Sequence, residues 1–91
     1  MSKRIHTLKS WPKFFDAIGQ GERVHELRRN DRDFEIGDVC ELLEYDPALD
    51  KYSGRALSVV ITSITSAAKP CAVSEIALHS DFCILSIRRV V

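Results

Sequence analysis

The sequence predicts an α+β domain in which one short helix is followed by about five strands, a sheet small enough to curl into a barrel. Three observations lead there. One amphipathic helical stripe lies near the N-terminus, several short runs rich in β-branched residues follow it, and clusters of turn-forming residues separate those runs. Curling disposes of the unpaired edges that a small flat sheet would expose. At 91 residues the chain holds one modest core, so a single domain over residues 1–91 is expected.

The helix is predicted over residues 11–20, "WPKFFDAIGQ". Trp11, Phe14, Phe15 and Ile18 fall at i, i+3, i+4 and i+7, the spacing of a buried face. Ser10 suits the N-cap, Pro12 the first turn and Gly21 the stop. At this period the aromatics are assigned to the core, and a base-stacking platform is the competing use.

"RVHELR", residues 23–28, reads as a short strand with Val24, Glu26 and Arg28 on one face and His25 and Leu27 on the other. "NDRDFEIGD", 30–38, is an ordered loop in which Asp31 and Asp38 are expected to cap turns. "VCELLEY", 39–45, is the next strand, and "DPALDKYSG", 46–54, a longer connection. The Val, Ile and Thr of "RALSVVITSITS", 55–66, select a long strand. Residues 67–80 contain Pro70 and are left open, with "VSEIAL" compatible with one helical turn or a short strand. "DFCILSIRRV", 81–90, closes the sheet and returns a basic end to solvent.

Composition narrows the function classes. Hydrophobic residues make up 45% and charged residues 29%, which is ordinary globular usage. Thirteen Lys and Arg balance thirteen Asp and Glu, so any anion site must come from local clustering. Cys40, Cys71 and Cys83 are odd in number and widely spaced, which argues for buried free thiols in a reducing compartment. His6, His25 and His79 complete no familiar metal-ligand spacing with them; no metal and no cofactor are expected. The N-terminus lacks the apolar segment of a signal peptide and no run is long enough to span a bilayer, so a cytoplasmic location without membrane contact is expected.

Charge concentrates around residues 23–32. Arg23, Arg28, Arg29 and Arg32 repel one another unless carboxylates or an anionic ligand intervene. Glu26 and Arg28, two apart on one strand face, are placed for a charge-assisted pair that orients a guanidinium toward a phosphate or a base edge. The competing reading is a salt-bridged surface turn.

"GERVHELR" resembles the G-x-K-x-x-E-x-R signature of ASCH domains in the PUA-like superfamily. The wider string "HTLKSWPKFFDAIGQGERVHELRRNDRDFEIGDVCELLEYDP" with "YSGR" resembles a small uncharacterised ASCH-related family often encoded by phages and prophages, nearly continuously over residues 6–55. The resemblance implies a PUA-like, ASCH-type mixed β-barrel with a helix packed beside a cleft, and an association with RNA. Some ASCH relatives hydrolyse acylated cytidine nucleosides with a Lys, a Thr and a Glu, and others are described as ribonucleases. Here Arg23 stands at the signature's Lys position, Glu26 at its Glu and Arg28 at its Arg. The amidohydrolase branch carries a Thr where Glu26 stands. Arginine stays protonated and does not replace a lysine that must shed its proton, whereas anion or base binding tolerates both replacements.

The family pattern adds Lys9, Asn30, Asp31, Arg32, Tyr45, Tyr52 and Arg55. Lys9 is expected to reach a phosphate, and Tyr45 and Tyr52 to stack on a base or pack within the barrel. The function expected first is RNA or nucleotide binding in a cleft lined by Lys9, Arg23, Glu26, Arg28 and Arg32. A hydrolase of RNA or a modified nucleoside, with Glu26 as general acid or base, is the enzymatic alternative. A phage accessory protein that binds and inhibits a host protein is the third.

Overall fold

The computed structural model describes residues 4–90. The first three residues of the segment read for a leader lie outside them. In chain order the elements are β1 (Ile5–Ser10), α1 (Pro12–Gly19), β2 (His25–Arg29), β3 (Val39–Asp46), β4 (Lys51–Ser66), the single turn α2 (Ser74–Ala77) and β5 (Phe82–Arg89). The strands form one mixed sheet in the order β1-β3-β4-β5-β2, with β1 parallel to β3 and the remaining pairs antiparallel. The sheet curls into a half-barrel and leaves β1 and β2 as its two edges.

A strand therefore precedes the helix, where the sequence predicts a helix first. "IHTLKS" alternates strictly between exposed and buried positions, but its inward residues are His6, Leu8 and Ser10. Two of those three are polar, so apolar alternation does not reveal the strand. The inward His6 is satisfied. Its Nε2 lies 2.8 Å from Asp38 Oδ2, which also accepts the Glu35 backbone N–H at 3.0 Å. The Arg4 backbone N–H reaches Asp38 Oδ1 at 3.4 Å, so one buried carboxylate ties β1 to the loop before β3. Burial pushes the Asp38 carboxyl up, and the hydrogen bonds from His6, Glu35 and Arg4 outweigh it, leaving the group below its ordinary range. Asp38 acts as the turn-capping residue the sequence predicts.

Pro12 sets the start of α1. The residue before a proline is pushed into extended backbone, and Trp11 has φ −66° and ψ 148°, so Trp11 and not Ser10 occupies the cap position. Outside the helix, Trp11 leaves the apolar stripe and is 53% exposed, a correction to the predicted buried face. Phe15 and Ile18 remain, and they enter the core with Leu8, Leu42, Val59, Ile61, Leu85 and Ile87. Burying each of these two side chains contributes about 1.5–3 kcal/mol. Gly21, at φ +78°, ends the helix as predicted. Arg89 donates to Gly19 O at 2.7 Å, which places a cation at the negative end of the helix.

Two irregularities bend the sheet, one between Leu43 and Tyr45 in β3 and one between Ile61 and Ser63 in β4. The connection predicted over 46–54 is shorter than expected. It is confined to the turn between Asp46 and Lys51, with Tyr52 already paired opposite Tyr45. Asp50 adopts φ 52°, which closes that turn and frees residues 51–54 for the strand. The open segment near residue 74 resolves as the helical turn.

Candidate functional site

The two edge strands are joined by arginine side chains and not by a ladder. Arg28 of β2 donates through Nη2 to Lys9 O at 2.6 Å, and Arg32, in the loop after β2, donates to Thr7 O at 2.9 Å. Carbonyls two residues apart lie on the same side of a strand, so both acceptors belong to the row on β1 that β3 leaves free. The guanidiniums supply the donors a sixth strand would have supplied.

Arg28 is held in place for this from below. Its Nε donates to Glu26 Oε2 at 2.9 Å and its Nη2 lies 2.7 Å from the same oxygen. Glu26 is 5% exposed, so the strand turns a charged residue inward while Leu27 stands 57% exposed. A buried carboxylate is tolerable only when paired, and Arg23 Nε approaches Glu26 Oε1 at 3.6 Å as a second cation. The pair expected between Glu26 and Arg28 thus forms.

At one end of this seam lies a cavity of about 330 Å³ lined by Lys9, Ser10, Trp11, Phe14, Arg23, Glu26, Leu27 and Arg28. Trp11 and Phe14 stack as one wall, with ring centroids 6.3 Å apart and planes inclined by 24°. The Arg23 guanidinium lies 4.4 Å from the Phe14 centroid. Two polar atoms here are buried and, among the described residues, have no hydrogen-bond partner: Ser10 Oγ and Arg23 Nε. The 3.6 Å approach of Arg23 Nε to Glu26 is an ion-pair distance and too long for a hydrogen bond.

The profile of a domain of unknown function, DUF3850, matches residues 5–87, which is nearly the whole chain. The chain belongs to the DUF3850 family. It is also 34% identical over 65 residues to an uncharacterised 12.9 kDa protein of the GpA 3' region of Escherichia phage P2. That alignment takes in 71% of this chain and 58% of the phage protein, so the chain spans less than two thirds of its relative's length. Of the affiliation expected from the sequence, the coarser part is met: a family of unknown function with a relative in a phage.

In this DUF3850 chain the residues predicted for the cleft divide. Lys9, Arg23, Glu26 and Arg28 meet at the cavity; Arg32 does not line it and belongs to the clasp on β1. Asn30 is in the loop, exposed, and its backbone N–H bonds Asp81 O at 2.7 Å. Tyr45 and Tyr52 pack edge to face at 5.1 Å, and Lys9 Nζ sits 4.2 Å from the Tyr45 centroid, so the tyrosines hold a lysine and each other. The Tyr45 hydroxyl donates to Asp50, and that bond first, with some burial, pushes the phenol up. Arg55 lies against α1, paired with Asp16 at 3.1 Å and Glu44 at 3.5 Å, with Phe15 beneath it. The sequence reading missed Ser10 as a cavity residue and assigned Trp11 and Phe14 to the core, with a stacking platform as their competing use; all three line the cavity. The Trp-Pro step carried the signal, because it ejects Trp11 from the helix and leaves Ser10 inward on β1.

Among the described residues no group of His, Cys, Asp and Glu is arranged to hold a metal, and no helix is long and apolar enough to cross a membrane.

Proposed function

We propose that the chain binds RNA or a nucleotide in the cavity between Trp11, Arg23, Glu26 and Arg28, as a PUA-like domain of the ASCH type. The observation that carries the reading is the cavity itself, where Trp11 and Phe14 form a stacked wall beside Lys9, Arg23 and Arg28, and where two lining residues, Ser10 and Arg23, carry buried polar atoms without a partner among the described residues. Leaving a buried donor or acceptor unmade costs about 1–3 kcal/mol, a cost a ligand's polar edge would remove. The wall and the charges suit the same ligand. Stacking on an aromatic wall contributes about 1–3 kcal/mol per base, and Lys9, Arg23 and Arg28 outnumber the one carboxylate.

Binding is favoured over hydrolysis by the same geometry. Glu26 Oε2 is engaged twice by Arg28, and Ser10 Oγ has no base within hydrogen-bond reach among the described residues. Trp11 is the chain's single tryptophan, so its fluorescence reports occupancy directly. Titration with nucleoside 5'-monophosphates and short RNA should quench it, with weaker binding at higher salt. Trp11→Ala, followed by calorimetry, should lose affinity without losing the fold. Unchanged fluorescence and no heat with every nucleotide and RNA overturns the proposal; product formation that disappears in Glu26→Gln would restore the hydrolase.

A further inference from the structure

Arg28 lines two cavities. Beyond the Trp11 site, along the β1–β2 seam, a smaller cavity of about 120 Å³ is bounded by Leu8, Arg28, Arg29, Asp31, Arg32 and Phe34. Three arginines and one acidic residue, Asp31, line it. Arg29 lies 5.4 Å from the Phe82 ring and donates no hydrogen bond among the described residues, while Arg32 Nε is 4.0 Å from Asp31. Arg28 directs its Nε to Glu26 and its Nη2 to Glu26 and Lys9 O, and its Nη1 makes no hydrogen bond among the described residues. The second cavity has an aromatic floor in Phe34, 4% exposed, too deep to stack a base. Its chemistry is that of a phosphate pocket, and its volume is about a third of its neighbour's.

We infer that the ligand is a single-stranded oligonucleotide lying along the seam, with one base against Trp11 and Phe14 and the next backbone phosphate between Arg28, Arg29 and Arg32. The inference rests on the nucleotide-binding reading and extends it from one residue of the ligand to a strand. Adjacent subsites sharing Arg28 fit a chain in which base and neighbouring phosphodiester are covalently tied. A free mononucleotide fills only the larger one. The arginines project from one short strand and the loop after it, at ~3.3 Å per residue, a span matched to a few nucleotides and not to a long tract.

The test compares a nucleoside 5'-monophosphate with six-nucleotide RNA and DNA strands of one sequence, in wild type and Arg29→Ala, by Trp11 fluorescence at two salt concentrations. Arg29→Ala is chosen because it breaks no hydrogen bond, and circular dichroism verifies its fold. Either hexamer should bind wild type about tenfold or more tighter than the monophosphate. Arg29→Ala should remove most of that advantage and reduce the salt slope by about 0.7, the contribution of one phosphate on a single strand. RNA ahead of DNA would assign contacts to the 2'-hydroxyl; equal binding would assign them to the phosphates, and both support a strand. A hexamer that binds no tighter than the monophosphate, or an advantage intact in Arg29→Ala, overturns the inference while single-nucleotide binding stands. No binding by any probe overturns both.

Discussion

Ser10 separates stability from function more sharply than any other residue. Its hydroxyl is buried without a partner among the described residues, so Ser10→Ala removes an unsatisfied group and should leave the unfolding free energy unchanged or raise it by up to ~1 kcal/mol, read as an equal or higher melting temperature. The same change should weaken ligand binding. Paired thermal melts and titrations check this, and a loss of stability would mean that the hydroxyl has a structural role. Asp38 is the opposite case. Its carboxyl is depressed in the folded chain, so its contribution is present above the ordinary carboxylate value near ~3.9 and is lost as pH falls through the lower folded value. Asp38→Asn should therefore cost about 2 kcal/mol in urea unfolding at pH 7, with the gap from wild type narrowing toward pH 3 as His6, Arg4 and Glu35 lose their charged acceptor in both proteins. A gap that widens in acid would contradict the assignment. Glu26, Arg28 and their spacing were legible from the sequence because two-residue periodicity fixes which side chains share a strand face. Ser10 was not, because whether a polar residue faces inward depends on partners elsewhere in the chain.

Among the elements, β1 and the start of β4 were the ones the sequence concealed. The inward face of β1 is made acceptable by Asp38, which lies 32 residues away from His6, a relation no local pattern contains. The start of β4 was hidden by Asp50, which closes the turn at positive φ in a segment whose composition suggests a longer loop. The long β-branched strand and the helical stripe were legible because each is set by local spacing. β1 is also the element whose attachment is most directly testable. It pairs with β3 on one side and is held by two guanidiniums on the other, so Arg32→Ala should loosen it by about 1 kcal/mol. Native-state hydrogen exchange should show β1 amides exchanging about fivefold faster, with β4 and β5 amides unchanged. Uniform acceleration across the sheet would show that Arg32 supports the whole fold and not this edge.

Across the molecule, formal net charge is zero, yet five of the thirteen Lys and Arg, namely Lys9, Arg23, Arg28, Arg29 and Arg32, gather along one seam. The sequence exposed that clustering but not its division, because Arg23, Arg28 and Arg32 are separated only when β1 is brought alongside β2. Cysteine reactivity should follow the same inside–outside partition. Burial pushes the Cys40 thiol up to about 11 and raises Cys83, whereas Cys71, expected to be buried like them, is exposed because it lies in the connection between β4 and β5 and not on a strand. A thiol reagent at neutral pH should therefore label one cysteine quickly and the other two only on unfolding; rapid labelling of all three would show that the half-barrel opens readily. The arginine clasp has one further consequence, for self-association. An unpaired strand edge is a template on which a second chain can extend the sheet, and β1 presents such an edge with two of its carbonyls already taken by guanidiniums. The side chains that close the seam also deny it to other copies of the protein, so the clasp guards solubility as well as shape.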